Sequence, residues 1–455
     1  MPESTALGSR FRPPAGPAFG IAALIHTLPA AFAYYVRIAL PLPAGCLDRS
    51  QERFSCVGCQ LALPSGESPR FRARVVLPTG HGRLRFSTCR RAPVTKPTMP
   101  SNAAVRSLLV DSSTFFLQTR GGVSRIAAKA IESLLGDFDV TLTYGLEGAK
   151  NQFASNLRNL PYLWKGSEFS FFRPWFRVPE EFDLVLIPYL GIPVGGRAYR
   201  MLICHDLIRE ATEPVYRRLP HSMVKWMTIR ASNHVLPVSD CTKAALTRRW
   251  PHALQFSRVT TLRNAIEELP EAAPAVHSRR KNSVLYVGLR TGYKNFAACI
   301  SVLREQADLL LDVVGRELSA GELAKWGDVA KRVTVHQGVS EQELSRLYRT
   351  AGCLLFPSEI EGFGLPILES LSVGTPVVAL DRAYSRELAS LVGEGLYLAP
   401  DDKVTEWVLK AISTDSLPPR NIRDWSVWRA EFLAAATPSA GWKRRLGQSS
   451  REGEA

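Results

Sequence analysis

The sequence predicts an α/β protein of two doubly wound Rossmann-like domains facing each other across a cleft. Three observations carry this. From Ser107 onward short β-branched runs alternate with helix-like segments, the pattern of parallel sheets covered on both faces. At 455 residues the chain has room for two cores rather than one. Polar and glycine-rich clusters stand directly after the apolar runs, where open parallel sheets bind their ligands.

Residues 1–98 have a different composition. They are rich in Pro, Gly and Arg and show no period of 2 or 3.6. They hold 13 of the 57 Lys+Arg against four acidic residues, so most of the net charge of +15 lies there. The apolar run 19–36 is interrupted by His26 and Pro29, so neither a signal peptide nor a membrane span is predicted. This stretch is expected to be a disordered extension or a mis-called start, with the folded protein beginning near Met99. The remaining chain is mildly basic, which suits phosphate-bearing ligands or an anionic membrane surface. No recognition motif accompanies the charge, so nucleic acid is not an expected partner. The eight cysteines show one Cys56–Cys59 pair and no second pair at zinc-ribbon spacing, so they are read as reduced thiols of a cytoplasmic protein. Cys204, Cys299 and Cys353 fall in apolar runs and are expected in the core.

Strands are predicted at 108–110, 140–143, 184–188, 201–204, 234–238 and 259–262 in the first domain, residues 99–266. A linker at 267–280 carries two prolines. The second domain, 281–420, has predicted strands at 284–287, 309–314, 333–336, 353–356 and 376–380. After these strands stand Gly121 and Gly122, His205 and Asp206, Gly288 with Arg290 and Lys294, and the run Glu361-Gly362-Phe363-Gly364. Two facing sheets would gather all four sets in one cleft.

The segment from Cys353 to Pro376 reads as a buried strand, a glycine loop and a helix. Pro366 suits the first helical turn and Gly374 suits the stop, which predicts a helix over about 365–373. The amides of Phe363, Gly364 and Leu365 are then free at the positive end of the helix dipole, a site for phosphate. Glu369 lies about one turn inside, roughly 5–8 Å from that end by the helical rise. A carboxylate there would repel phosphate unless it accepts hydrogen bonds from neutral hydroxyls such as those of ribose. Glu361 precedes the loop and is placed nearer the sugar end. The plainer alternative makes both carboxylates dipole partners and both glycines turn formers.

Glu361 and Glu369, with seven residues between them that include Gly-Phe-Gly-Leu-Pro, resemble the E-x7-E signature of retaining glycosyltransferases of the GT-B fold, family 4 (glycosyl transferases group 1). The resemblance extends over about residues 105–440. It implies a nucleotide-sugar donor as co-substrate, with no cofactor and no metal ion. Glu369 would lie on the donor ribose and Glu361 by the sugar ring, and the anomeric configuration would be retained. It makes the first domain the acceptor side and the second the nucleotide-sugar side. The segment Ser283–Asn295 is similar to the family's strand and basic loop, which assigns Arg290 and Lys294 to the donor diphosphate, with Gly288 at the turn. His205-Asp206 resembles a pair at a strand end whose histidine faces the transferred sugar. Gly121-Gly122 resembles the loop that lets backbone approach the diphosphate and borders the acceptor. Ser239 and Asn264 match landmarks read as mainly structural. The Trp425 segment resembles a terminal helix, 421–436, that crosses back to the first domain, ahead of a disordered tail at 437–455.

Residues 209–230 interleave Arg217, Arg218, Lys225 and Arg230 with Tyr216, Trp226 and methionines. This is either an ordinary amphipathic surface helix or a face resting on an anionic membrane, as transferases with lipid-linked acceptors use. The Tyr293-Lys294-Asn295 variant is similar to mannosyl and rhamnosyl transferases of bacterial surface polysaccharides, which favours GDP-mannose as donor and a glycan or lipid-linked acceptor. The rival readings are a nucleotide-sugar epimerase on the same fold and a nucleotide-sugar-binding regulator without turnover.

Overall fold

The computed structural model describes residues 107–436 apart from 171, 271–278, 291, 416 and 420–421. The expectations for residues 1–98, for 437–455, for most of the linker and for the cysteines at 46, 56, 59 and 89 lie outside the described residues. Two parallel sheets dominate. The first contains β1 (Ser107–Val110), β2 (Asp139–Tyr144), β3 (Tyr162–Trp164), β5 (Leu184–Ile187), β7 (Tyr199–Cys204), β8 (His234–Pro237) and β9 (Arg258–Val259), in the order β3-β2-β1-β5-β7-β8-β9. A separate pair joins β4 (Trp175–Arg177) to β6 (Ile192–Val194). The second sheet contains β10 (Arg280–Val287), β11 (Leu310–Val314), β12 (Val333–His336), β13 (Ala351–Phe356), β14 (Val377–Leu380) and β15 (Leu396–Ala399), in the order β12-β11-β10-β13-β14-β15.

Both orders reverse direction at the first strand of the domain, β1 or β10. This topological switch point leaves a crevice beyond the carboxyl ends of the strands. In the second sheet the crevice is flanked by the loops after β10 and β13, the two segments that carry Lys294 and Glu361. β13 is buried along its whole length, as its continuous apolar run requires of a central parallel strand. Every expected strand has a counterpart, but 259–262 shortens to Arg258–Val259. Beyond it only one side of the ladder continues, through Thr260 N–H to the Val235 carbonyl and Leu262 N–H to the Pro237 carbonyl. β3, β4, β6 and β15 were not expected. They are three or four residues long, too short for a period to show.

Six helices matter for the site: α1 (Gly122–Leu134), α2 (Val215–Ala231), α3 (Asp240–Arg249), α4 (Glu341–Thr350), α5 (Leu365–Ser372) and α6 (Trp425–Ala436). α6 packs against α1 of the first sheet's domain. Trp428 and Phe432 are buried and stacked, and Arg429 Nε donates to Asp137 at 2.6 Å. One hydrophobic cluster runs from Ile131 and Leu134 on α1 through Tyr348 and Leu371 to Trp428 and Phe432. The two halves therefore share a core on this side. Cys204, Cys299 and Cys353 are buried free thiols, and burial pushes Cys204 and Cys353 up to about 12. Among the described residues no helix is long and apolar enough to cross a membrane.

Candidate active site

The loop after β13 turns through Gly364, whose φ of 102° belongs to the left-handed region that glycine adopts without strain. α5 follows at once with Pro366 in its first turn and no side chain capping it. Its first-turn amides and dipole face whatever enters the crevice. At its far end Gly374 has φ 82° and packs against the Leu417 carbonyl, where a Cβ has no room.

Lys294 ends a short helical turn after β10, and its Nζ lies 2.5 Å from Glu361 Oε1. It also stands over the rings of Phe356 and Tyr293, at 5.3 and 5.5 Å from their centroids. The two loops are tied by backbone as well. Glu359 N–H donates to the Tyr293 carbonyl at 2.7 Å, and Asn295 Nδ2 donates to Glu359 Oε1 at 3.0 Å. Asn295 takes a left-handed conformation, φ 45°, to open the next helix. The basic loop and the glutamate loop are thus tied to each other through side chains and backbone.

The first domain meets these loops at Gly362. A Cβ there would fall onto the His205 carbonyl oxygen and within 3.0 Å of Asp206 Cβ. The Gly362 carbonyl accepts from Ser239 Oγ at 2.6 Å and Thr242 Oγ1 at 3.1 Å. Ser239, read from sequence as a structural landmark, also caps α3 by accepting from Thr242 N–H. It joins the two halves directly at the loop. Glu387 adds a second tie, accepting from the Asp240 and Cys241 amides at 2.9 and 2.8 Å. His205 and Asp206 are therefore assembled with Glu361, Gly362, Phe363, Gly364 and Lys294.

His205 is buried, and its Nε2 donates to the Pro188 carbonyl at 2.9 Å. A carbonyl can only accept, so Nε2 carries the proton and Nδ1 is left as an acceptor. Burial pushes this imidazole down to about 4, and His234 likewise. Both are neutral at pH 7. The folded values lie below the ordinary 6.5, so protonation favours the unfolded chain and stability is lost as pH falls from about 6.5 toward 4. Each histidine is expected to remove about 2 kcal/mol between pH 7 and pH 5. Urea unfolding of wild type and His234→Phe at the two pH values checks this, the variant showing the smaller drop.

Asp206 Oδ1 accepts from Ile208 N–H at 2.9 Å, and the Asp206 carbonyl accepts from Lys225 Nζ at 2.9 Å. Lys225 is buried, with its Nζ 3.0 Å from Glu210 Oε2. Glu210 Oε1 meets His221 Nδ1 at 2.8 Å, and His221 Nε2 meets the Tyr189 hydroxyl at 3.1 Å. Burial alone would raise Glu210, but the His221 hydrogen bond and the Lys225 charge hold it down at about 2. Of the cations interleaved over 209–230, Lys225 is thus not part of a surface face. Lys225 is turned inward to support the His205-Asp206 turn, and the exposed residues of α2 are Val215, Tyr216, Arg217, Pro220, Trp226 and Arg230.

Glu369 is buried on α5. Its Oε1 accepts from Arg125 Nη1 at 2.6 Å and its Oε2 from the Tyr348 hydroxyl at 2.8 Å. Arg125 comes from α1, just after Gly121 and Gly122. Gly121 is extended and opens α1, and a Cβ on Gly122 would meet nothing within 4 Å. A pocket runs beside Glu369, lined by Arg125, Ile266, Glu267, Leu365 and Trp425 among others.

Arg290 is not brought into this group. Its side chain is 1% exposed, with Nε 2.9 Å from Glu322 Oε1. Its Nη1 and Nη2 donate to the carbonyls of Arg316 and Glu317 at 2.6 and 2.7 Å. A guanidinium engaged this way keeps one free N–H of its five, and gripping a diphosphate with two would break the pair with Glu322 or a loop carbonyl bond. The residue ties the loop after β10 to the loop after β11. Gly288, with φ 143°, shapes the turn before it.

Residues 271–420 match the family described as "Glycosyl transferases group 1". The O-antigen chain mannosyltransferase RfbU of Salmonella typhimurium (strain LT2) is 27% identical over 198 residues, which cover 42% of this chain and 54% of that protein. O-antigen chain mannosyltransferase B of Escherichia coli is 27% identical over 242 residues, covering 47% of this chain and 61% of that one. The chain thus matches between half and two thirds of these relatives' length. Sucrose-phosphate synthase of Thermosynechococcus elongatus superposes with a TM-score of 0.54 at 15% identity, over 76% of this chain and 100% of that one. That likeness concerns the fold, which is the GT-B fold expected from the motif.

Proposed function

We propose, from the premise that this chain belongs to the glycosyl transferases group 1 through residues 271–420, that it moves a sugar from a nucleotide-sugar to an acceptor hydroxyl. The carrying observation is the meeting of Lys294, Glu361 and the N-terminus of α5 at the switch point of the second sheet, with His205-Asp206 closing over Gly362. In this reading Glu369 accepts from the donor ribose. The amides of Phe363, Gly364 and Leu365 and the Lys294 ammonium receive the diphosphate, whose charge grows as it leaves. Glu361 stands by the sugar ring and neutral His205 offers it a hydrogen-bond acceptor. The acceptor hydroxyl, bordered by Gly121 and Gly122, attacks the face from which the diphosphate departs, so the configuration is retained. The C–O bond to the phosphate breaks, the new glycosidic bond forms, and the leaving phosphate oxygen takes the hydroxyl proton. Arg290 serves this site through the loop it holds.

Two relatives that are O-antigen chain mannosyltransferases favour mannose from GDP-mannose, and a glycan or lipid-linked acceptor of surface-polysaccharide synthesis. Exposed Tyr216, Trp226, Arg217 and Arg230 on α2 would serve for peripheral contact with an anionic inner membrane surface. Turnover of the purified chain with GDP-mannose, with and without a lipid-linked glycan acceptor, tests the reading. Mannosyl transfer that requires acceptor and gives an α-linkage is expected. A changed sugar without acceptor would make the chain an epimerase, and binding without turnover a regulator.

A further inference from the structure

We infer that Arg125 is a positioning residue for the donor: it reaches from the first domain to hold the ribose-binding carboxylate Glu369, so that nucleotide binding and apposition of the two domains are coupled. This rests on the reading that Glu369 accepts from ribose. Arg125 and Glu369 are 244 residues apart in sequence, and only the folded pairing of α1 with α5 unites them. A carboxylate as buried as Glu369 is costly unless a cation and hydrogen bonds compensate it. Arg125 and Tyr348 supply both, one on each oxygen. The contact is single rather than a two-pronged fork. A carboxylate has about four acceptor positions, so each oxygen keeps a lone pair, and two such neighbours suit the two vicinal hydroxyls of a ribose.

The guanidinium therefore completes the receptor instead of filling it. It also cancels a negative charge that would otherwise face the diphosphate from one helical turn away. The orientation of Arg125 is itself fixed from its own side. Lys129, one turn along α1, lies 2.5 Å from Glu267 Oε1, and Glu267 Oε2 is 4.0 Å from Arg125 Nη2. Glu267 belongs to the strand-to-linker segment, so a single chain of charges runs from the linker through α1 to the nucleotide carboxylate. Because α1 opens at Gly121-Gly122, the same helix links the acceptor border to the donor site.

The test is calorimetric binding of nucleoside diphosphate and, separately, of inorganic pyrophosphate to the full chain and to Arg125→Met, Arg125→Lys, Glu369→Gln and the Arg125→Met/Glu369→Gln pair. Arg125→Met is expected to weaken the nucleotide on the order of tenfold or more, the size of one lost charge-assisted contact, and Arg125→Lys to recover part of it. Pyrophosphate, which has no ribose, should lose less than the nucleotide on Arg125→Met, only the share due to the uncancelled Glu369 charge. In the Glu369→Gln background the Arg125 change should add little, the signature of two residues acting as a unit. Nucleotide bound equally or more tightly by Arg125→Met overturns the inference, since the arginine would then be idle or a plug. Equal loss for pyrophosphate also overturns it, by showing general distortion. Should wild type bind pyrophosphate but no nucleoside diphosphate, the ribose reading of Glu369 fails, and the inference with it.

Discussion

Lys294→Met is expected to lower turnover by about 10²–10³ while leaving the fold in place, the cost usual for removing one preorganised stabiliser of developing charge. The ammonium lies between Glu361 and the ring of Phe356 at the crevice. A neutral side chain of similar length keeps the contact with the rings and removes only the charge. Nucleotide affinity should fall less than turnover, because the diphosphate gains charge on departure and the amides of α5 hold it in the ground state. Glu361→Gln separates the partner's contribution. It keeps a hydrogen-bonding group beside the sugar, removes the charge that Lys294 pairs with, and should lose turnover with nucleotide affinity nearly intact. Initial rates at saturating donor, with binding measured in parallel, decide between these outcomes. A loss of affinity with turnover at saturating donor unchanged for Lys294→Met would mean that it binds the ground state and transition state alike.

Glu369→Ala should cost the nucleotide about 1.5–3 kcal/mol of binding, the value of hydrogen bonds to an ionised group. It acts on the folded state as well. Arg125 and the Tyr348 hydroxyl lose their shared partner in a buried place, and breaking a buried pair by removing one side costs about 3 kcal/mol or more. Melting curves of the variant separate the two effects: a lowered midpoint with full folding at 25 °C leaves the binding result readable.

The glycine loop and α5 were legible in the sequence because their signals are local. Pro366 near the start and Gly374 at the stop place a helix that runs from Leu365 to Ser372 in the structure, within one residue of the expected end. The alternation of apolar runs exposed the parallel sheets for the same reason. What sequence could not supply was the partner of each charge. Arg290 was read as free to face a diphosphate, yet its carboxylate is Glu322, 32 residues on, brought beside it by the loop after β11. Lys225 looked like one of a row of surface cations and instead supports Asp206 through Glu210. Arg125, three residues past Gly122, carried no signal of a role in the sequence, and Tyr348 carried none beyond an apolar helix position. Ser239 gave a strand-end signal, but its bond to the Gly362 carbonyl crosses 123 residues. Periodicity and turn chemistry report on neighbours along the chain, whereas ion pairing between domains depends on how two sheets are set against each other.

The donor site is decided by one titration: UDP, GDP, ADP and dTDP into the full chain by calorimetry, repeated with Glu369→Ala. One nucleotide is predicted to bind, GDP being the favoured base, with the variant weaker by about 10–100-fold. Binding of none of the four, or equal binding by the variant, would contradict the assignment of the Glu361–Glu369 segment as the nucleotide site.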